Sequence, residues 1–404
     1  MSRKPPRRAR IYNASILRCL FDPRSSDATI IANHDAAALR RHPVTDCLDL
    51  LWPHLVKVLR LVYTLQICLA VEAVGQTPVE DSAQQFGGAL AAKVQLLEKE
   101  NTAALAGVDG WLFLTSELRF LSIARFWGED AAKVSNSPRP EWADPLPAIT
   151  DFNDQLKKRG IQLLLVPIPS KAEIYPEKIL PGVDISGRDP TPSLQLFYDE
   201  LRAKGVDVLD LAPRFLEYRA KEHEALFCKS DSHWTGLGCV LAAQAIAERI
   251  RTKLIEPPSK SDYASDWNNV SIQGDLDGLL SAGNPTHGSE VVRVRSVTEK
   301  ATGSHIASDP DSPVLLLGDS FTLVFHDFYA ANAGLLDQLA LELGFAPDII
   351  GTRGSGATPV RISLFRRSSK ASDYLAKKKI IVWCFASREF TEAAEGWQKL
   401  PVGK

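Results

Sequence analysis

Three apolar runs restrict what this chain can fold into: Ile161–Ile168, Val314–Leu317 and Ile380–Phe385. A strand whose consecutive side chains are nearly all apolar must be covered on both faces, which is the pattern of a parallel sheet. Helical stretches alternate with these runs. Asp144-Pro145-Leu146-Pro147 opens one that carries Ile149, Phe152 and Leu156 on one face and closes on Lys157-Lys158-Arg159-Gly160, with cations and a glycine as stop signals. A second spans Leu194–Leu201, and a third runs from Leu237 to Leu254 with Ile246, Ile250 and Leu254 marking its core face. Val206–Leu211 and Asp348–Gly351 read as further strands, and Gly107–Leu114 as a Gly-Asp-Gly turn entering a strand. Strand and helix at this spacing predict a parallel α/β sheet. Residues 256–312, with Pro, Ser, Asp and Gly throughout, read as one long loop, and a loop of that length is more often functional than idle.

The middle run ends in Gly318-Asp319-Ser320-Phe321. Glycine permits a sharp turn out of the strand, so Ser320 falls at the carboxyl edge of the sheet and in the first turn of a helix. Unpaired N–H groups and the positive helix end favour negative charge there. A serine in that place either caps the helix or acts as a nucleophile whose own N–H helps to hold an oxyanion. The second role needs a base. Of the eight histidines, His34, His42 and His54 precede the folded body, and His287 and His305 lie in the long loop. His223 sits in a charged run, and His326, six residues after Ser320, points to another face of a continuing helix. His233 stands in Asp231-Ser232-His233-Trp234, just before a helix. Asp231, two residues away, can fix its tautomer and balance the imidazolium. A structural histidine beside a helix-capping aspartate is the alternative, and a metal site lacks a third ligand at a recognisable spacing.

Together these blocks resemble the nucleophile and Asp-x-His motifs of SGNH hydrolases. Their order is reversed relative to most of that superfamily. With Gly107–Phe113 and Pro167–Pro176 upstream, Gly274-Asp275-Leu276 in the long loop and Trp383–Arg388 near the end, residues 100–395 are similar to the AlgX/AlgJ family of polysaccharide O-acetyltransferases. The resemblance implies a flavodoxin-like three-layer α/β/α SGNH hydrolase fold with permuted motifs. It implies Ser320, His233 and Asp231 as the catalytic set and an acetyl-serine intermediate, with no cofactor. The acceptor would be an exported polysaccharide, alginate-like or another exopolysaccharide, in the periplasm. A membrane-bound O-acyltransferase would deliver the acetyl group, and exopolysaccharide assembly proteins would be partners. Gly354 and Gly356 could lend N–H groups to the oxyanion, though a plain loop is the stronger account of them; Arg388 is a further oxyanion or substrate candidate. A carbohydrate esterase with the same triad, and a non-catalytic polysaccharide-binding subunit, are the competing readings.

Composition matters mainly at the N-terminus. A net charge of -2 gives no footprint for nucleic acid, although Met1–Arg10 is basic. The expected organisation is a poorly ordered extension over 1–46, a hydrophobic signal or anchor over 47–75, a helical lead-in over 76–106, a catalytic domain over 107–395 and a tail over 396–404. Within the 50–71 segment, Leu50–Arg60 carries two cations and leads into the apolar run Leu61–Val71 ahead of the small residues Ala73 and Gly75, as in an export signal, yet the run is short for a membrane span; an amphipathic helix is the alternative. Cys19, Cys47, Cys68, Cys228, Cys239 and Cys384 form no CxxC pair, so neither a zinc ribbon nor a disulfide framework is expected. One bridge remains compatible with these positions.

Overall fold

The computed structural model describes residues 78–182, 191–255, 257–280 and 288–403. The extension, the 50–71 segment, Cys19, Cys47, Cys68, His34, His42, His54 and His287 lie outside the described residues. Pro78–Lys99 forms a helix, with Phe86, Leu90, Val94 and Leu97 buried along one stripe. A small hairpin follows, β1 Ala104–Ala106 against β2 Leu112–Leu114.

The organising element is a five-stranded sheet: β3 Gln162–Ile168, β4 Asp207–Val208, β7 Val314–Gly318, β8 Asp348–Gly351 and β9 Ile380–Ala386, in the order β4-β3-β9-β7-β8. Every pairing in it is parallel. All residues of β7 and β9 are buried, and all of β3 except Gln162. Alternate side chains of a strand face opposite ways, so burial of every one requires cover on both faces, as the apolar runs predict. Counted from β7 to the chain end and then on through β3 and β4, the spatial order is 2-1-3-4-5. That is the flavodoxin-like arrangement. The reversed motif order in the sequence is therefore a permutation of where the chain starts around one unchanged sheet.

Gly318 closes β7 where β7 and β9 leave no room for a side chain. A Cβ there would come within 2.1 Å of the Cys384 carbonyl oxygen. The strand expected over 206–211 is only two residues long, because Asp210 turns the chain by accepting from the Ala212 N–H at 2.9 Å.

The long-loop reading of 256–312 is overturned. Tyr263–Gln273 (β5) and Ser289–Glu299 (β6) pair antiparallel over their full lengths. Much of β5 is exposed and polar, with Asp266, Trp267, Asn268 and Asn269 all on the outside. It therefore lacks the apolar signature of the sheet strands.

At the amino-terminal end of the sheet, Lys378 and Asp348 form a fully buried ion pair at 2.9 Å. The pair is well satisfied. Lys378 Nζ also donates to the Pro310 and Ser312 carbonyls, and Asp348 accepts from Tyr374, Ser308 and Arg367. Removing one partner leaves the other buried and uncompensated. Lys378→Ala is expected to lower unfolding free energy by about 3–5 kcal/mol, read as a drop in the urea midpoint at unchanged m-value.

Cys228, Cys239 and Cys384 are free and buried, so the bridge that the sequence left open does not join them. No helix among the described residues is long and apolar enough to cross a membrane.

Candidate active site

Ser320 starts a single helical turn, Ser320–Leu323, at the carboxyl edge of β7. Asp319 caps that turn: its Oδ1 accepts from the Phe321 N–H at 3.0 Å, and its Oδ2 from the Ala386 N–H at the end of β9 at 2.8 Å. The capping role thus falls to Asp319, which leaves the Ser320 hydroxyl uncommitted to the backbone. His233 Nε2 lies 2.8 Å from Ser320 Oγ. Its Nδ1 lies 2.7 Å from Asp231 Oδ1. Both His233 and Asp231 are buried. The imidazole is also held by Phe321 at 4.8 Å and by an edge-on Phe328 at 5.7 Å between ring centroids.

Asp231 is the most heavily coordinated group. Besides the His233 ring, its Oδ1 accepts from the His233 N–H at 2.9 Å, and its Oδ2 from the Asp275 N–H at 3.0 Å and the Tyr329 hydroxyl at 2.7 Å. Burial alone would raise this carboxyl. The hydrogen bond and charge of His233, with the Tyr329 hydroxyl, outweigh it and hold Asp231 well below the usual carboxylate range. Burial and the bond to Asp231 push the Tyr329 phenol far up, so it remains a donor. The loop bearing Asp231 is pinned from β3's carboxyl end by Lys171. This fully buried amine donates to the carbonyls of Leu112, Lys229 and Asp231, and burial lowers its pKa. That contact gives a physical role to the Pro167–Pro176 block.

The structure thus brings together Asp231, His233 and Ser320. It also brings Gly356 close: a Cβ there would clash with Phe385 and lie 3.3 Å from the Asp319 Cβ. The Gly356 carbonyl is fixed by the Trp383 indole N–H at 2.7 Å, and Ser355 is tied to Glu389 at 2.6 Å. Burial pushes the Glu389 carboxyl up to about 7. Gly354, at φ +98°, has open space where a Cβ would stand. Arg388 pairs with buried Glu117 at 3.1 Å. Burial pulls the guanidinium pKa down, but Glu117, Glu389 and Asp319 together hold it above its ordinary value.

Two residues in this network were given no role by the sequence: Tyr329, which carried no signal, and Asp275, which was marked only as part of the Gly274-Asp275-Leu276 motif. Tyr329 reaches Asp231 from a loop whose backbone enters the left-handed region at Phe325 and Tyr329. Asp275 accepts from both the N–H and the hydroxyl of Ser232 at 2.7 Å. With Asp231 and His233 it makes an oxygen and nitrogen cluster within 4.8 Å, each ligand atom of which is already hydrogen-bonded inside the network. His326 is not on a continuing helix, because the turn ends at Leu323; it pairs with Asp337 at 2.9 Å.

A family described as the SGNH hydrolase-like domain of the acetyltransferase AlgX matches residues 104–385. The chain belongs to the AlgX acetyltransferase family. Curated relatives include the probable alginate O-acetylase AlgJ of Pseudomonas aeruginosa, 25% identical over 323 residues, covering 74% of this chain and 73% of the relative. The alginate biosynthesis protein AlgX of the same organism is 26% identical over 291 residues, 69% and 54% of the two chains. Among solved structures, the O-acetyltransferase domain of Pseudomonas putida AlgJ superposes with a TM-score of 0.54 at 21% identity, over 72% of this chain and 92% of the other. Pseudomonas aeruginosa AlgX gives 0.51 at 20% identity, over 70% and 62%. At those identities the superpositions speak for the fold, and the AlgX-family sheet and site described above are built on it.

Proposed function

We propose that this AlgX-family chain is an O-acetyltransferase that passes an acetyl group through Ser320 to hydroxyls of an exported, alginate-like polysaccharide. The observation that carries this reading is the continuous chain Asp231–His233–Ser320 at 2.7 and 2.8 Å. His233 takes the Ser320 proton as Oγ attacks the acetyl carbonyl, and Asp231 stabilises the imidazolium. The oxyanion forms beside the Ser320 N–H, which as the first helical N–H has no intrahelical acceptor, and near the Gly356 backbone. Collapse breaks the bond to the donor's leaving group, which takes the proton from His233, and leaves acetyl-Ser320. A sugar hydroxyl, deprotonated by His233, then attacks the acetyl carbon, and Ser320 leaves reprotonated.

Arg388, held against Glu117, serves at the same pocket as a fixed positive charge. An exported acceptor sets the reaction in the periplasm, with the 50–71 segment as signal or anchor and a membrane-bound O-acyltransferase supplying acetyl groups. The test incubates the protein with an activated acetyl ester and alginate oligosaccharides and weighs the products. Oligosaccharides heavier by one acetyl are expected. Ester hydrolysis with unmodified oligosaccharides, or deacetylation of acetylated ones, would instead establish an esterase.

A further inference from the structure

We propose that Arg353 is the residue that reads a carboxylate of the alginate-like acceptor and so selects a uronate over a neutral sugar. Gly318 and Gly351 are register partners on β7 and β8, and the Thr352 N–H donates to the Gly318 carbonyl at 3.0 Å. Ser320 and Arg353 therefore leave the same sheet edge, each two residues beyond that pair. The Arg353 guanidinium lies over the Phe328 ring, 4.3 Å from its centroid, and the same ring stands edge-on to His233 at 5.7 Å. The guanidinium carbon is thus within about 10 Å of the imidazole centre, the sum of those two contacts.

Arg353 is exposed, and among the described residues it has no ion-pair partner. Arg367 and Arg388, further along the chain, are committed to Asp348 and Glu117. The carboxylates of the site are likewise taken. Asp231 is held by His233 and Tyr329, Asp275 by Ser232, and Asp319 by two backbone N–H groups. Among the described residues the result is an unmatched cation at this sheet edge, held over an aromatic ring. None of its N–H groups is spent on a carboxylate of the protein, so they are free for a bidentate carboxylate of the acceptor. Phe328 is itself fixed: its carbonyl accepts from the Phe325 N–H, and the adjoining Tyr329 is tied to Asp231. The cation is therefore in place before the acceptor arrives. A polyuronate presenting a hydroxyl to His233 carries a carboxylate on the same or the next residue, at a separation of this order.

The inference rests on the acetyl-transfer reading for its chemistry, while its binding claim can be read separately. Transfer is measured with alginate oligosaccharides and with the same oligosaccharides after reduction of their carboxylates to alcohols. Arg353→Gln is expected to raise KM for the uronate about tenfold to a hundredfold, the worth of one charged hydrogen-bonded contact. It leaves hydrolysis of the small ester, and transfer to the reduced acceptor, within about twofold of wild type. Arg353→Lys recovers part of the loss, since the charge returns without the planar fork. Wild-type KM for the uronate should also climb with ionic strength, and that of Arg353→Gln should not. Binding of the uronate to the Ser320→Ala protein, with and without Arg353→Gln, reads the site without any chemistry. Loss of Arg353-dependent binding supports the proposal even if wild type transfers to neither acceptor, an outcome that would sink the transferase reading alone. Equal uronate affinity with and without Arg353, or transfer by wild type to both acceptors with no preference for the charged one, overturns the proposal.

Discussion

Ser320→Ala is expected to abolish acetyl transfer and ester hydrolysis together, a fall in kcat of about 10⁴-fold or more. Both reactions pass through one Oγ, and the hydroxyls of Thr322, Ser232 and Ser355 are committed elsewhere. Thr322 Oγ1 donates to the Asp319 carbonyl at 2.7 Å, Ser232 Oγ to Asp275 and Ser355 Oγ to Glu389. The fold has little to lose. The Ser320 side chain is only partly buried, and the cap on its helical turn belongs to Asp319. The variant should therefore unfold at a temperature close to that of wild type, and show no acetylated protein in an intact-mass spectrum after exposure to the activated ester. Transfer that survives the substitution would remove Ser320 from the chemistry and leave His233 to activate the acceptor directly.

How much of this was legible in the sequence follows from what each part needs. The sheet was legible because β3, β7 and β9 are buried on both faces, and burial on both faces writes an unbroken apolar run. The Asp231–His233 unit was legible because aspartate and histidine lie two residues apart on one loop. Its link to Ser320 crosses 87 positions and could be inferred only because a parallel sheet gathers its functional loops at its carboxyl edge. The β5–β6 ribbon was not legible. Its strands alternate weakly and expose polar side chains such as Asn268 and Asn269, so their composition is that of a loop.

Tyr329 was hidden for a different reason. It reaches Asp231 through a reversal at Phe325, a non-glycine residue at φ +63°. Such a conformation is rare for a bulky residue and has no compositional cue. What holds it is tertiary: the His326–Asp337 pair on one side and the Asp231 carboxylate on the other. Arg388 was marked by a motif, but its partner Glu117 lies 271 positions away. No local pattern could announce that pairing.

Asp231→Asn is expected to lower kcat by about 10³–10⁴-fold while KM changes little. The two carboxylate oxygens receive four donors, two from His233 on Oδ1 and two from Asp275 and Tyr329 on Oδ2. An asparagine replaces one acceptor with an NH₂ group, and neither orientation suits the site. With the NH₂ towards His233, the ring must accept at Nδ1 and carry its proton on Nε2, so it cannot take the Ser320 proton. With the NH₂ towards Asp275 and Tyr329, the phenol can rotate to accept, but the Asp275 N–H is left without an acceptor, at a cost of about 1–3 kcal/mol. The first orientation strands the His233 N–H in the same way, so the variant has either a tautomer that cannot take the proton or a neutral amide that does not balance the imidazolium, and both lower kcat.

The same substitution has a signature in stability against pH. Since Asp231 is held below the ordinary carboxylate value near 3.8, its ionised form stabilises the fold above that value, and the contribution is lost as pH falls towards the lower folded pKa. Wild type should lose stability between about pH 5 and pH 2.5 that the Asp231→Asn protein does not lose, measured as unfolding temperature against pH. Parallel acid limbs in the two proteins would mean that Asp231 is not the depressed carboxylate this network requires. The low activity of the variant would then have to come from displaced geometry rather than from the tautomer.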